Sequence, residues 1–218
     1  IISGITTLGT TSFTADATVN SITVGKGANS VAGNTVLGES ALDANTTGTK
    51  NTVVGYESLT ENTTGQENVA VGYRTLDANT TGDQNVAIGY VALGANTTGV
   101  DNVAVGRVSL DANTTGDKNT AIGNGTLSAS NASYNTALGF EALALDTTGA
   151  NNTAAGYYAL KSNTTADSNT AIGYNAATAL TTGGYNVALG DSALIASTTG
   201  VNNVAIGYQT LNNSTDKF

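Results

Sequence analysis

The 218-residue chain contains no Cys, His, Met, Trp or Pro, and each absence narrows what it can do. Without Cys there is no disulfide, no thiolate nucleophile and no cysteinyl metal ligand. Without His the usual general base and the commonest transition-metal ligand are missing. With no Met the sequence carries no initiating residue, so a fragment or processed product is expected. Basic residues are scarce as well, 7 against 16 acidic, for a net charge of −9. A surface of that sign repels phosphate backbones, so no nucleic-acid partner is expected. No apolar run approaches the roughly 20 residues that span a bilayer, which argues against membrane insertion. The opening stretch, residues 1–13, lacks the basic, apolar and small-residue regions of a signal peptide.

What fills the chain is repetition. NVAVGYRTLDANTTGDQ (68–84) is followed by NVAIGYVALGANTTGVD (85–101), and the phrase recurs with starts at 34, 51, 68, 85, 102, 119, 135, 152, 169, 186 and 203. Every interval is 17 residues except the sixth, which is 16. The consensus is N-[VT]-A-[VIL]-G-Y-x-[AST]-L-x-x-N-T-T-G-x-x. A unit this short cannot hold a helix pair or a propeller blade, but it suits one coil of a β-solenoid. The predicted fold is therefore all-β, a parallel β-solenoid of about eleven coils. Three regions follow: 1–33 as an N-terminal β connector, 34–211 as the repeat shaft, and 212–218 as an incomplete turn.

Within a coil, V-A-I alternates at period two, so Val86 and Ile88 share a face and Ala87 points to the other. Position five is Gly in every copy, including Gly55, Gly72, Gly89, Gly106 and Gly123, and permits a bend or positive φ that larger residues resist. A second short strand or bend is expected to carry the Leu of position nine, as at Leu59, Leu76, Leu93 and Leu110, with Ala177 the exception. N-T-T-G reads as a turn in which Asn and Thr bond nearby backbone and Gly supplies a reversed φ. A lone coil cannot fold, because ordering seventeen residues costs more than burying three apolar side chains gains. Stacking must supply the rest. The core is still thin, so one face of each chain is expected to be buried against other copies, with a homotrimer as the natural closed solution.

Several polar and aromatic files invite functional readings. The Asn of position one, seen at Asn51, Asn68, Asn85, Asn102 and Asn119, reads as a structural amide ladder. Tyr56, Tyr73, Tyr90, Tyr157, Tyr174 and Tyr208, with Phe140, form a column at position six. It stabilises the stack or a chain–chain contact, the alternative being a sugar-binding strip, and alternation with Val and Ile favours burial. Paired Thr residues invite ice binding, yet only one of each pair can face outward. N-T-T is also a glycosylation sequon at Asn45, Asn62, Asn79, Asn96, Asn113 and Asn163. Asp43, Asp77 and Asp111 sit on alternate coils, roughly 10 Å apart by the coil rise. Glycosidase pairs need about 5–5.5 Å or 6.5–9.5 Å, so these read as surface charge. Copy six (residues 119–134) lacks one residue and the N-T-T-G turn, and Ala166 replaces a Gly. Drift in a tolerant outer turn and a ligand notch are the two readings. No residue is assigned catalytic, cofactor or metal work, and no enzyme activity is expected.

The A-[IV]-G-x-x-[AS] heart of each unit, as in AIGYVA (87–92) and AVGRVS (104–109), resembles the head repeats of trimeric autotransporter adhesins. That resemblance implies three parallel β-rolls side by side, although the family's unit is usually near fourteen residues. TVNSITVGKGANSVAGNTVLG (18–38), running into the A-N-T-T-G units, resembles fibre and appendage proteins of bacteriophages, especially of marine cyanobacteria. This second resemblance implies a structural shaft of a tail or capsid fibre on the virion surface, contributing to host attachment. The implied partners are copies of the chain, other virion structural proteins and a host-surface glycan or protein. The alternative is a bacterial surface adhesin head that binds a host or matrix ligand.

Overall fold

The structure, a computed structural model, describes residues 16–19 and 22–212. Residues 1–15 and 20–21 of the expected connector and nearly all of the incomplete turn (213–218) lie outside the described residues. The rest is one thirteen-stranded sheet whose strands neighbour in chain order. Two antiparallel strands, β1 (Ala17–Val19) and β2 (Ile22–Gly25), precede β3 (Thr35–Gly38). Ten more three-residue strands follow: β4 (Thr52–Val54), β5 (Val69–Val71), β6 (Val86–Ile88), β7 (Val103–Val105), β8 (Thr120–Ile122), β9 (Thr136–Leu138), β10 (Thr153–Ala155), β11 (Thr170–Ile172), β12 (Val187–Leu189) and β13 (Val204–Ile206). From β3 onward all pairings are parallel and in register, as in Val86↔Val103, Ala87↔Ala104 and Ile88↔Val105. The repeat therefore builds the β-solenoid that its period implies.

Residues 16–19 and 22–33 cap one end of this stack. Strand β2 pairs antiparallel to β3, so the parallel sheet is covered there. The Asp16 carboxylate accepts the N–H groups of Lys26 and Gly27 at 2.7 and 2.6 Å, and the Ala28 N–H reaches the Leu42 carbonyl at 3.1 Å. That segment closes over Leu42, the first core leucine. A solenoid end needs such a cover, because its terminal coil otherwise exposes apolar surface.

The core corrects one expectation. Val86 and Ile88 do share a face, but that face is the outside, and Ala87 is the residue turned inward and fully buried. The interior of each coil is narrow. It holds the third-position residue (Val36, Val53 and then Ala), a small eighth residue, the ninth-position Leu, the first-position Asn and the twelfth-position side chain, which is Asn in coils one to five and eight. Leu59, Leu76, Leu93 and Leu110 are all fully buried. Where Ala177 replaces Leu, Leu180 takes the place of the second Asn and fills the space three residues later. A second Val or Ile per coil would overfill this tube, and close-packed interiors do not tolerate added volume.

The turns correct one more. Position nine lies in a turn, the bend of the two forms expected there. Its Leu residues take left-handed φ values, from 51° at Leu76 to 56° at Leu42. Positions seven and seventeen are left-handed too, as at Arg74 (50°) and Gln84 (60°). The reversed φ expected of the N-T-T-G glycine thus falls two residues later. That glycine is needed for space, since a Cβ on Gly82 would strike its own coil's Asn79 and the Gly99 carbonyl. The fifth-position glycines combine both demands: Gly89 has φ 140°, and a Cβ there would overlap the Gly106 carbonyl oxygen.

Gly89→Ala should therefore destabilise the rod by more than about 3 kcal/mol, through strain and a backbone clash that no rotamer relieves. Val108→Asn should act in the opposite sense. Val108 is β-branched yet held at φ 46°, and Asn accepts that region at lower cost, so a gain of about 1 kcal/mol is expected. Chemical denaturation of the two variants against the parent chain measures both.

Candidate functional site

The amide ladder is the most regular polar feature, and it explains why each coil closes. Asn51 and Asn62, positions one and twelve of one coil, both donate Nδ2 to the Gly65 carbonyl, each at 3.0 Å. Asn62 Nδ2 also reaches Asn45 Oδ1 in the preceding coil at 3.1 Å, and Asn51 Oδ1 accepts the Asn68 N–H of the following coil at 3.0 Å. The pattern repeats through Asn68, Asn85, Asn102 and Asn119. Every one of these amides is buried. Leaving such a group unpaired costs about 1–3 kcal/mol, so the ladder is a structural requirement, and its burial keeps it out of reach of a ligand. The sequon residues Asn45, Asn62, Asn79, Asn96, Asn113 and Asn163 belong to the same buried files, and no glycan can be added to them in the folded rod.

The Thr pairs divide as expected. The first hydroxyl bonds the next coil, as in Thr80 Oγ1 to the Thr97 carbonyl at 3.0 Å, and the second Thr is exposed. In the short coil six the chain repairs this file with a side chain. The N–H groups of Thr46 and Thr47 bond the Thr63 carbonyl, at 2.9 and 3.1 Å. Those of Thr114 and Thr115 instead bond Asn131 Oδ1, both at 2.9 Å. A side-chain amide oxygen thus stands where the missing residue's carbonyl would be. Ala132 and Ala166 offer their carbonyls to Asn119 and Asn152 as glycines do elsewhere. On this side of the rod the irregularity is absorbed without a notch.

One rung of the ladder is ionisable. Asp146 replaces the twelfth-position Asn and is fully buried. It accepts from Ser130 Oγ and Asn163 Nδ2, both at 2.9 Å, and from the Gly149 backbone. Burial without a cation pushes its carboxyl up to about 7, the three donors offsetting only part of the desolvation and nearby Asp167 adding to the rise.

The tyrosines are not buried within the chain. Beyond the glycine bend the position-six rings stack coil on coil: Tyr56–Tyr73–Tyr90 at centroid separations of 5.6 and 5.2 Å, and Phe140–Tyr157–Tyr174 at 5.3 Å each. The planes are within 12° of parallel, so neighbours cover the ring faces and expose the edges. A continuous sugar platform needs open faces, and the stacked rings do not offer them. Arg107 lies 5.6 Å over the last ring of the first block, and Tyr208 stands apart beyond Asp191.

The carboxylates of position ten do not converge on a catalytic arrangement. Asp77 pairs with Arg74 at 2.7 Å, and Asp111 Oδ1 is buried without a hydrogen-bond partner. Among the described residues no group of three His, Cys, Asp or Glu side chains is placed to hold a metal ion. The outer face of the sheet itself is uncharged along its whole described length. Its second and fourth positions carry only Thr, Val, Ile, Leu or Ala along all the parallel strands, and Ile88, Leu138, Ile172 and Leu189 are exposed at 39, 51, 42 and 43%. Sequence reasoning missed this exposure. The available signal was that Thr alternates with Val at position two, as expected of a position that meets solvent, while position three admits only Val or Ala. No protein-family model, no curated protein and no solved structure matches the chain.

Asn131→Ala should cost about 1–2 kcal/mol by removing the shared acceptor of two N–H groups, and Asn131→Asp should cost less. Asp146 contributes a pH dependence of definite sign. Its folded-state value lies above the ordinary 3.8, so its favourable contribution is complete below about pH 4 and is lost as pH rises through 7. The loss amounts to on the order of 4 kcal/mol. Asp146→Asn should abolish that slope and raise stability at pH 8, as read from urea melts between pH 4 and 8.

Proposed function

We propose that this chain is a structural rod of a multichain fibre, three copies joined along the outer faces of their sheets. The single observation that carries this reading is that exposed face. It is roughly 50 Å long and about 10 Å wide, from the strand spacing and the rise per residue. That is on the order of 500 Å² before side-chain relief is counted, and it carries no charge in any coil. Monomers seldom leave more than a few hundred Å² of contiguous apolar surface in water. The face approaches the roughly 800 Å² per partner of a stable interface. A narrow strip in which positions two and four meet different neighbours closes in a threefold ring, the heterologous arrangement that buries all copies equally. The tyrosine column then runs along the rim.

In this reading the rod's work is mechanical. Ladder hydrogen bonds on every coil resist bending, and length sets how far a tip stands from its base. The resemblance to phage fibre and appendage proteins supports placing it on a virion surface, joined to other structural proteins and serving host attachment.

Light scattering behind a sizing column should give about three times the chain's 21.6 kDa. A mass of one chain overturns the shared-face argument, and a mass of two replaces the threefold contact with a face-to-face pair. Ile88→Asp combined with Ile122→Asp should release single chains whose far-ultraviolet dichroism is unchanged, because both side chains point away from the coil interior.

A further inference from the structure

The column at position six is broken at coil six by a small side chain. Rings or a guanidinium occupy position six from Tyr56 to Arg107 and rings resume at Phe140, but coil six places Asn124 there, followed by Gly125 at position seven. Both are smaller than their counterparts above and below; the Glu141 side chain closes over Gly125, which is buried, so the opening lies at position six. The gap is bounded on one side by Arg107 and on the other by the face of Phe140 that no ring covers among the described residues. Arg107, Asn124 and Phe140 are all exposed. The Arg107 guanidinium makes no ion pair among the described residues, and Asp111 feels its charge without hydrogen-bonding to it. Its flat fork of donors is therefore free.

We infer that this vacant rung is a binding slot for one carboxylated sugar ring, the chemistry of an acidic surface glycan. Two coil rises separate the Arg107 level from the Phe140 level, about 9.6 Å. A ring packed on Phe140 at a stacking distance of about 4.5–5 Å leaves roughly 5 Å to the guanidinium. That distance takes a carboxylate substituent and a charge-assisted hydrogen bond of about 2.8 Å. The Asn124 amide, at the back of the slot, offers one donor pair and one acceptor to ring hydroxyls. The column's other interruptions, at Glu39 and Asp191, place a carboxylate at that level and repel an acidic ligand, so a slot with a guanidinium on one side and an open ring face on the other occurs at one level of the rod. Its position on the rim keeps it open in the threefold assembly. The slot depends on that reading only for its access.

The test is a titration of the ¹⁵N-labelled chain with methyl glucuronide, followed by the side-chain signals of Asn124 and Arg107. Saturable shifts confined to coils five to seven are expected, with methyl glucoside and acetate each binding about tenfold more weakly for want of one of the two contacts. Asn124→Tyr restores the column's own residue type and should abolish the shifts. Arg107→Gln, which leaves the slot open, should reduce glucuronide binding to the level of glucoside. Equal shifts with acetate, shifts spread over all coils, or binding retained in both variants would overturn the proposal. A one-chain mass with saturable binding at these residues would overturn the assembly and keep the slot, so the two claims fail separately.

Discussion

The fold rests on two buried asparagine amides that meet at one glycine carbonyl in each of the first five coils, an arrangement later coils keep in modified form. Asn85 and Asn96 both donate to Gly99, which fills that oxygen's two acceptor positions and ties the start of the coil to its last turn. The same side chains also reach the neighbouring coils: Asn96 Nδ2 donates to Asn79 Oδ1, and Asn85 Oδ1 accepts the Asn102 N–H. Closure and stacking are thus one network, and neither exists without the other. A polar group so placed in a low-dielectric interior is costly unless fully paired, which makes the network intolerant of partial formation.

That network also sets the width of the interior. With two amides and one leucine inside, only a small third-position residue remains possible, and the larger aliphatic side chains are displaced to the outer face. The apolar character of the outer face is therefore a consequence of the polar core. The sheet gains β-branched strand residues that suit its pleat, and the unpartnered surface that results is what suggests assembly with other copies.

Much of this was legible in the sequence because the period is nearly invariant. Spacing alone indicated the parallel stack, and the recurrence of Asn, Gly and Leu identified the ladder, the bend and the core leucines. Alternation told which residues share a face, but it could not tell which face is inside. Hydrophobicity pointed the wrong way for Val86 and Ile88, because the limiting quantity is the volume between opposing turns, a property of the closed coil. The left-handed Leu residues were equally hidden, since leucine has no intrinsic preference for that region and is held there by its neighbours. Position six was readable as a column, yet the parallel stacking that covers its ring faces is a property of the folded coils. Asn131 was invisible for another reason: its role depends on a residue that is absent.

The in-register pairing of each coil with the next has a kinetic meaning. Partners in the ladder are 17 residues apart in a chain of 218, a relative separation of about 0.08. That value belongs with helical bundles, whereas β-sandwiches and barrels lie at about 0.16–0.22 and fold slowly because distant segments must find each other. Here every strand searches only for the one just made. With the antiparallel cap at the N-terminal end of the stack, the first coil has a finished template before the second is complete. The rod can therefore fold in the order in which it is synthesised, one coil at a time, without exposing a long unpaired sheet edge at any stage.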